Sequence, residues 1–370
     1  MRVKIKLYDI YIFLIVFLKA LGATAESKLY LLAFLVGCAA IAVKIFQEKF
    51  AVRELCSIFF ILMVGTITFL LGKETTVLFT AIALCGSKNV NSHRIIKLTF
   101  WSMLLAFLIM IVGSSTGVIE NEIVQFWRDD SYIYRNKFGY AHPNTAHIIF
   151  TILSFLFLYV YGEKVNVLTY FAVLTCNNLL YSFTYSRTGM IMTIVAVLLS
   201  AAIHFENIRK LFMCGFGYIY YVLFAVSIVA GLLYNRSAFV EALDELLSGR
   251  IRYTYQVLTT QLPPLFGQLE YAGITIDNSY IALIYHSGCL ACIWFSYYVL
   301  RSAQKLQAEN KYNECFLLTC FAIYGLAESF FASISLNISL IFINEVLFSG
   351  EGKVWKNLRF SHRRIIGGTK

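Results

Sequence analysis

The chain has 370 residues, of which 59% are hydrophobic and only 14% are charged. Soluble globular proteins carry roughly 25% charged residues, so this composition excludes an ordinary soluble domain and predicts a polytopic membrane protein. The apolar runs are long and do not alternate, which excludes a transmembrane β-barrel. The net charge of +10 follows mainly from the distribution of basic residues across the membrane and does not argue for nucleic-acid binding.

Apolar runs of about 17–25 residues mark spanning helices. The chain contains twelve such runs, at 8–25, 29–46, 55–71, 75–86, 95–113, 144–162, 165–181, 188–204, 211–233, 279–300, 315–332 and 334–349. The fourth run is short, and the last two are so close that they could form a re-entrant pair. We therefore predict an all-α membrane protein with about 12 transmembrane helices, in which residues 1–370 form a single integral membrane domain.

Basic residues orient the spans, because cytoplasmic loops are enriched in Lys and Arg. With both termini in the cytoplasm, 21 of the 31 basic residues fall on the inner side. The basic tail at 350–370 is then expected to lie on the anionic inner leaflet, where each basic residue contributes about 1 kcal/mol. The N-terminus resembles a signal peptide with a cleavage site at Ala23-Thr24-Ala25. We favour an uncleaved first helix with Lys19 reaching the interface.

Two loops on the outer side are long, at residues 114–143 and 234–277. Long loops without repeats are usually functional or disordered. Arginine predominates among the outer basic residues away from helix ends, which are Arg128, Arg135, Lys137, Arg187, Arg236, Arg250 and Arg252. The planar guanidinium suits bidentate contact with phosphate or carboxylate. Function is therefore expected on the outer face.

The first outer loop leads into a predicted helix that begins at Pro143, since proline fits the first helical position. His142 then lies near the free amides of that helix, an end that favours an anion. The alternative is that the charges of this loop pair internally, Asp129 and Asp130 with the neighbouring arginines.

Arg187 lies between spans seven and eight, where it begins a helix. A helix N-terminus is unfavourable for a cation, so a bound anion shared by Arg187 and the helix amides would remove the conflict. The alternative is that Arg187 is a membrane-interface anchor.

The second outer loop begins with residues 238–248, whose pattern predicts an amphipathic helix at the membrane surface. Glu241, Asp244, Glu245 and Ser248 are assigned to its polar face, and Gly249 ends it. Arg250 and Arg252 open a second amphipathic segment that stops at Pro263-Pro264. Asp277 follows at the entrance of span ten, and Glu328 lies in span eleven, where an ionisable group is a functional candidate.

The nine cysteines mostly lie in apolar spans, and no disulfide framework is expected. Cys289 and Cys292 form a CxxC motif inside a predicted helix, without the His or carboxylate that would complete a metal site. Asp129 and Asp130 could bind a divalent ion, but neither a metal nor a cofactor is predicted.

Several fragments resemble the Wzy-type polysaccharide polymerases of the O-antigen polymerase and ligase superfamily. They are residues 138–144 (FGYAHPN), 185–189 (YSRTG), 248–250 (SGR) with 265–267 (LFG), 277–280 (DNSY) with Gly288, and Glu328 with Asn337. Each fragment is short, but their order and common side over residues 128–337 make the set fairly specific. The long outer loop late in the chain is also typical of this family.

The resemblance implies an all-helical membrane glycosyltransferase related to the GT-C class, in a bacterial cytoplasmic membrane. It would move a growing glycan, linked through diphosphate to undecaprenol, onto the non-reducing end of another lipid-linked repeat unit. Polyprenyl diphosphate would be the leaving group. A flippase and a chain-length regulator are possible partners.

The residue types also suit this chemistry independently of the resemblance. Preorganised arginines stabilise charge on a departing diphosphate without a metal. The candidate diphosphate ligands are Arg250, Arg252, Arg187, Arg135 and Arg128. The acceptor hydroxyl needs deprotonation or orientation, and the candidate bases are Asp277, Glu328 and His142. Many ligase-like members have His where this chain has Asp277, which favours a polymerase over a ligase.

Three alternatives stay open. The nearest is a ligase that passes finished glycan to another acceptor. The second is a flippase or other transporter of lipid-linked oligosaccharides, although transporters commonly show internal repeats and helices broken by Gly or Pro. No proline falls inside a predicted span here, and the polar groups gather on one face. The third is a membrane scaffold or sensor without catalysis.

Overall fold

A computed structural model describes residues 6–23, 27–128, 131–247, 249–268 and 273–349. Within these ranges the chain is mostly helical. The helices are α1 (Leu7–Ala20), α2 (Lys28–Phe46), α3 (Val52–Gly72), α4 (Thr76–Cys85), α5 (Ser92–Ser115), α6 (Pro143–Tyr161), α7 (Val167–Thr184), α8 (Arg187–Ala202), α9 (Glu206–Gly215), α10 (Ile219–Leu233), α11 (Ala238–Leu246), α12 (Arg250–Thr260), α13 (Ser279–Tyr285), α14 (Cys289–Ala308), α15 (Tyr312–Tyr324) and α16 (Asn344–Leu347). Two strands, β1 (Ile123–Arg128) and β2 (Ser131–Asn136), form an antiparallel hairpin. The basic tail 350–370, the possible cleavage site at 24–25 and the pair Asp129-Asp130 lie outside the described residues.

Five helical segments are long and apolar enough to cross a membrane: Lys28–Phe46, Val52–Gly72, Ser92–Ser115, Pro143–Lys164 and Glu206–Arg236. They correspond to predicted spans two, three, five, six and nine. Their outward surfaces carry large apolar side chains, such as Leu32 and Leu71 at 61% and 72% exposure. Extended apolar surface of this kind marks contact with a membrane or a protein. The five segments are therefore compatible with a multi-pass membrane protein.

Other predicted spans are shorter or interrupted. The runs 75–86, 188–204 and 334–349 contain the shorter apolar helices Thr76–Cys85, Arg187–Ala202 and Ile338–Leu347. The run 279–300, predicted as one helix, is divided into α13 and α14. The division lies at Gly288, whose φ of +85° is in the left-handed region that glycine adopts without strain.

The break at Gly288 makes room for the second outer loop. A Cβ at Gly288 would lie 2.6 Å from the amide nitrogen of Gly267, so the two backbones are in direct contact. The amide of Cys289 donates to the carbonyl of Pro264 at 2.9 Å. The loop thereby satisfies one of the free N–H groups at the beginning of α14. This pairing depends on residues 25 positions apart, which apolar periodicity does not reveal.

Glu328 does not lie in a helix, contrary to the prediction for span eleven. The run 315–332 is helical only as far as Tyr324, where α15 ends, and turns follow it. The carboxylate therefore projects from irregular backbone that leads to the short 3-10 helix Ile338–Ile343.

Side chains replace the missing helical hydrogen bonds in this irregular segment. The Ser279 hydroxyl accepts from the Phe331 amide at 3.0 Å. The Thr80 hydroxyl donates to the Ala332 carbonyl at 2.7 Å, and Asn337 Nδ2 donates to the Phe331 carbonyl at 2.8 Å. Irregular backbone at membrane depth is tolerated where protein buries it and satisfies its polar groups.

The loops predicted for the inner side contact one another. Lys88 pairs with Glu54 and also lies 5.5 Å from the ring centre of Phe348. Lys311 pairs with Glu345 at 3.0 Å. These contacts gather the loops at one end, as an alternating topology predicts, and local carboxylates neutralise part of the basic charge.

The hairpin in the first outer loop corrects the expectation of an all-α chain. In its register Val124 pairs with Arg135 and Trp127 pairs with Tyr132. Arg135 is buried against the helices, whereas Trp127 and Tyr132 are more than half exposed. Aromatic and β-branched residues favour strands, and four of the six residues of β1 are of these types.

Candidate functional site

The second outer loop folds into α11 and α12, joined by a tight turn at Gly249 with a φ of +84°. The carboxylate of Asp244 is buried at this turn, with the residue only 5% exposed. It accepts from the amides of Ile251 at 2.7 Å and Arg252 at 3.1 Å. A carboxylate in this position caps a helix and stabilises it by about 0.5–2 kcal/mol. Asp244 therefore holds the first turn of α12, where Arg250 lies.

Helix α11 only partly follows its predicted amphipathic pattern. Glu241 and Glu245 are exposed, as expected for a polar face. Asp244 is not on that face, because it turns inward with Val240 to cap α12. Phe239 is 76% exposed, which suits the predicted position at a membrane surface.

Arg250 is the centre of the candidate site. Its Nη1 donates to Thr188 Oγ1 at 2.7 Å, and its Nη2 donates to Glu328 Oε1 at 3.1 Å. Its Nε lies 3.5 Å from Asp277 Oδ2, an ion-pair contact without an ordinary hydrogen bond. The contacts join α12, the beginning of α8, the segment before α13 and the segment after α15. Four regions that are distant in sequence thus meet at one guanidinium.

The two carboxylates at Arg250 differ in access. The side chain of Glu328 is 14% exposed and that of Arg250 is 11% exposed, whereas that of Asp277 is 32% exposed. Asp277 therefore offers its free oxygen to an entering molecule more readily than Glu328 does. When all three groups are ionised, the cluster carries more negative than positive charge.

Asn278 and Ser279 hold the two acidic segments together. Asn278 caps α13 with its side-chain oxygen and donates from Nδ2 to the Leu326 carbonyl at 3.3 Å. The Ser279 hydroxyl donates to the backbone carbonyl of Glu328. The positions of Asp277 and Glu328 are therefore coupled by bonds that do not involve either carboxylate.

A buried network shapes the turn that presents Thr188. His147, on α6, has Nε2 at 2.9 Å from Asn177 Oδ1 and Nδ1 at 3.0 Å from Thr184 Oγ1. Because an amide oxygen only accepts, Nε2 carries the proton. The Thr184 hydroxyl beside Nδ1 donates to the Leu180 carbonyl at 2.9 Å. A Cβ at Gly189 would lie 2.5 Å from His147 Cδ2. The imidazole thus packs directly on the glycine of the YSRTG fragment.

Arg135 joins the hairpin to the helices. It is only 4% exposed, and its Nε donates to the Thr184 carbonyl at 2.7 Å. Its Nη2 donates to Asn144 Oδ1, and the guanidinium lies 5.0 Å from the ring centre of Phe126. These enclosed contacts indicate that Arg135 stabilises the α7–α8 turn, although the sequence predicts it to be a diphosphate ligand.

His142 caps α6, whose first residue is Pro143 as predicted, and its Nδ1 accepts from the Asn144 amide at 3.1 Å. Burial lowers the pKa of His142, and the charges of Arg135 and Lys137 lower this pKa further, while Asp277 opposes them. The imidazole is therefore neutral at pH 7. Asp277 of the Arg250 cluster is thus one of the charges that act on the pKa of His142.

The other predicted arginines lie beside the cluster or outside the described atoms. Arg187 is partly buried and begins α8 directly before Thr188, as predicted. Arg252 is exposed on α12, with its guanidinium 5.5 Å from the ring centre of Tyr253. Arg128 ends β1, and its side chain lies outside the described part of the chain.

Three residues of the site were missed by sequence reasoning. His147 is an ionisable residue inside predicted span 144–162, so the rule that singled out Glu328 applies to it equally. Asp244 is four residues after Val240, on the same face of α11. Thr188 belongs to a quoted fragment, but nothing in the sequence assigned it a partner.

Comparisons with family models, curated proteins and solved structures find no match for this chain. The geometry around Arg250 is therefore the basis for a functional proposal. Clustered ionisable groups that face one another in an enclosed site are typical of catalytic and charged-ligand sites.

Proposed function

We propose that the protein is a membrane glycosyltransferase that polymerises undecaprenyl-diphosphate-linked repeat units into capsular polysaccharide or exopolysaccharide. The observation that carries the proposal is the meeting of Arg250, Asp277, Glu328 and Thr188. These residues come from four separate fragments that resemble polysaccharide polymerases, and their meeting in one cluster of ionisable groups supports a common role.

The proposed setting is the outer face of the bacterial cytoplasmic membrane. About twelve spans in a GT-C-like arrangement, with both termini in the cytoplasm, put the Arg250 cluster on that face. The end where Lys88 and Lys311 pair with acidic residues then faces the cytoplasm, in accord with the excess of basic residues there. The substrates are a lipid-linked donor and a lipid-linked acceptor, and a flippase and a chain-length regulator are proposed partners.

In the proposed reaction the acceptor hydroxyl oxygen attacks the anomeric carbon of the donor glycan. The bond from this carbon to the diphosphate oxygen breaks, and polyprenyl diphosphate leaves with the electron pair. The hydroxyl proton passes to Asp277, which is the more exposed carboxylate and contacts Arg250 only at 3.5 Å. Glu328 is hydrogen-bonded to Arg250 and orients the guanidinium.

Proton transfer to Asp277 also changes the charge balance at Arg250. Neutral Asp277 holds the guanidinium less strongly, so Arg250 becomes available to the diphosphate as negative charge builds on it. Arg187, next to Thr188, and Arg252, exposed on α12, supply further positive charge. Arg135 and His142 shape the loops around this site.

The test replaces the gene by an Asp277→Asn variant in a bacterial strain that depends on it. A Glu245→Gln strain is the matched control, because Glu245 is an exposed carboxylate of the same outer loop. Loss of the proton acceptor should lower polymerisation by at least about 100-fold, with single lipid-linked units accumulating on the outer leaflet. The control should make polymer of normal length at an equal protein level.

Normal polymer from Asp277→Asn would remove Asp277 from the mechanism. Accumulation of single units on the inner leaflet would instead identify a flippase. That alternative is favoured by one observation, the helix interruption at Gly288, because broken helices are common in transporters.

A further inference from the structure

A polar cavity is lined by the segment that follows Glu328. It has a volume of about 60 Å³, and its polar lining residues are Lys19, Tyr30, Thr75, Thr76, Thr80, Ser333 and Ser335. Lys19 lies near the end of α1, and Thr75 and Thr76 lie at the beginning of α4. Both are outer ends in the predicted topology. We call this the Lys19 cavity.

Two polar groups of the Lys19 cavity make no hydrogen bond among the described residues. Among the described residues, the ammonium of Lys19 makes neither a hydrogen bond nor an ion pair, although Glu74 interacts with it electrostatically. Tyr30 is only 5% exposed, and its hydroxyl makes no hydrogen bond within the described ranges. Tyr30 is buried, and buried polar groups are normally hydrogen-bonded. Its hydroxyl and the Lys19 ammonium are therefore available to a ligand in the cavity.

The donors around the Lys19 cavity suit an oxyanion. Ammonium and hydroxyl groups converge with the positive end of α4, a helix of 10 residues. Glu74 opposes an anion, but one of its oxygens is committed to the Thr76 amide at 2.6 Å. The small volume suits a single phosphate or carboxylate group better than a whole sugar ring.

We propose that the Lys19 cavity binds an oxyanion of a lipid-linked substrate. Resting on the proposed function, this oxyanion is one phosphate group of the acceptor unit's diphosphate, because polymerisation requires two lipid-linked glycans at once and the Arg250 cluster serves the donor. Ser333 follows Glu328 by five residues, so the two sites are at most about 18 Å apart along the connecting chain. The glycan of the acceptor spans this distance.

The test is calorimetric titration of the protein in phosphatidylcholine nanodiscs with farnesyl diphosphate as the probe. Lys19→Gln should weaken one of two binding events about tenfold, the effect of losing one charged hydrogen bond. Tyr30→Phe should weaken the same event several-fold without changing Tm, because its hydroxyl has no partner to lose. Lys28→Gln is the matched control, since Lys28 is exposed at the beginning of α2.

A second titration with glucuronate separates the two sources of an oxyanion. If glucuronate binding depended on Lys19 and farnesyl diphosphate binding did not, the cavity would be assigned to an acidic sugar. The proposal that it binds the acceptor diphosphate would then be overturned. Equal binding of both probes by wild type and Lys19→Gln would overturn the cavity proposal, even if Tm fell. Lys19-dependent binding together with normal polymer from Asp277→Asn would support the cavity while removing Asp277 from the mechanism.

Discussion

The Arg250 guanidinium lies 3.1 Å from the Glu328 carboxylate, and both side chains are nearly enclosed. Removing one partner of such a pair typically costs about 3–5 kcal/mol, because the other charge stays buried without compensation. The two removals are not equivalent here. Arg250→Gln leaves two carboxylates near each other without a cation, whereas Glu328→Gln leaves Arg250 with Asp277. We therefore expect Arg250→Gln to lower Tm more than Glu328→Gln does.

Thermal unfolding of the purified variants in detergent measures this difference. The double variant Arg250→Gln/Glu328→Gln should recover part of the stability that Arg250→Gln loses, because coupled residues are not additive. If the two single variants lowered Tm equally and the double variant lowered Tm by the sum of both losses, the pair would not be coupled.

Asp244 connects the fold of the outer loop to the site, because its carboxylate accepts from the first amides of α12. Asp244→Ala removes this cap and should cost about 0.5–2 kcal/mol. The loss should be accompanied by lower polymerisation, since Arg250 lies in the same helical turn. Glu245→Ala, one residue along on the exposed face, should change neither quantity. A similar effect of both variants would point to net charge and not to capping.

Gly189 tests the network around His147. A Cβ at this position would lie 2.5 Å from His147 Cδ2, so Gly189→Ala must displace the imidazole or the α8 backbone. Overpacking of this kind costs about 1–3 kcal/mol. Gly162 has open space around its Cβ position, so Gly162→Ala is the matched control and should be neutral. The measurement is the difference in Tm, and an unchanged Tm for Gly189→Ala would contradict the packing argument.

Local signals account for the features that the sequence predicted correctly. Pro143 begins α6, Arg187 begins α8 and Gly249 separates two amphipathic helices, because capping and turn preferences depend on a few neighbouring residues. The five long apolar segments follow from composition over about twenty residues. They are five of the twelve runs that the sequence predicts as spans.

Long-range contacts account for what could not be predicted. The span at 279–300 breaks because the distant Pro264 carbonyl takes over a helix amide. Glu328 leaves its predicted helix because Ser279 and Thr80 bind the irregular backbone around it. In the same way Arg135 is predicted as a diphosphate ligand from its residue type and its place in the first outer loop, whereas its contacts with α6 and α7 appear only in the folded chain.

His142 makes stability depend on pH. Burial, followed by the charges of Arg135 and Lys137, holds its pKa below the ordinary value of 6.5. Below pH 6.5 the unfolded chain binds more protons at this position than the folded protein does. The contribution of neutral His142 to the free energy of unfolding is therefore complete above pH 6.5 and is lost as pH falls through the lowered pKa. His142→Asn keeps a side-chain acceptor for the α6 cap but cannot be protonated. We therefore expect Tm of the wild type to fall more steeply than Tm of His142→Asn between pH 7 and pH 5, and parallel curves would show that this histidine does not contribute.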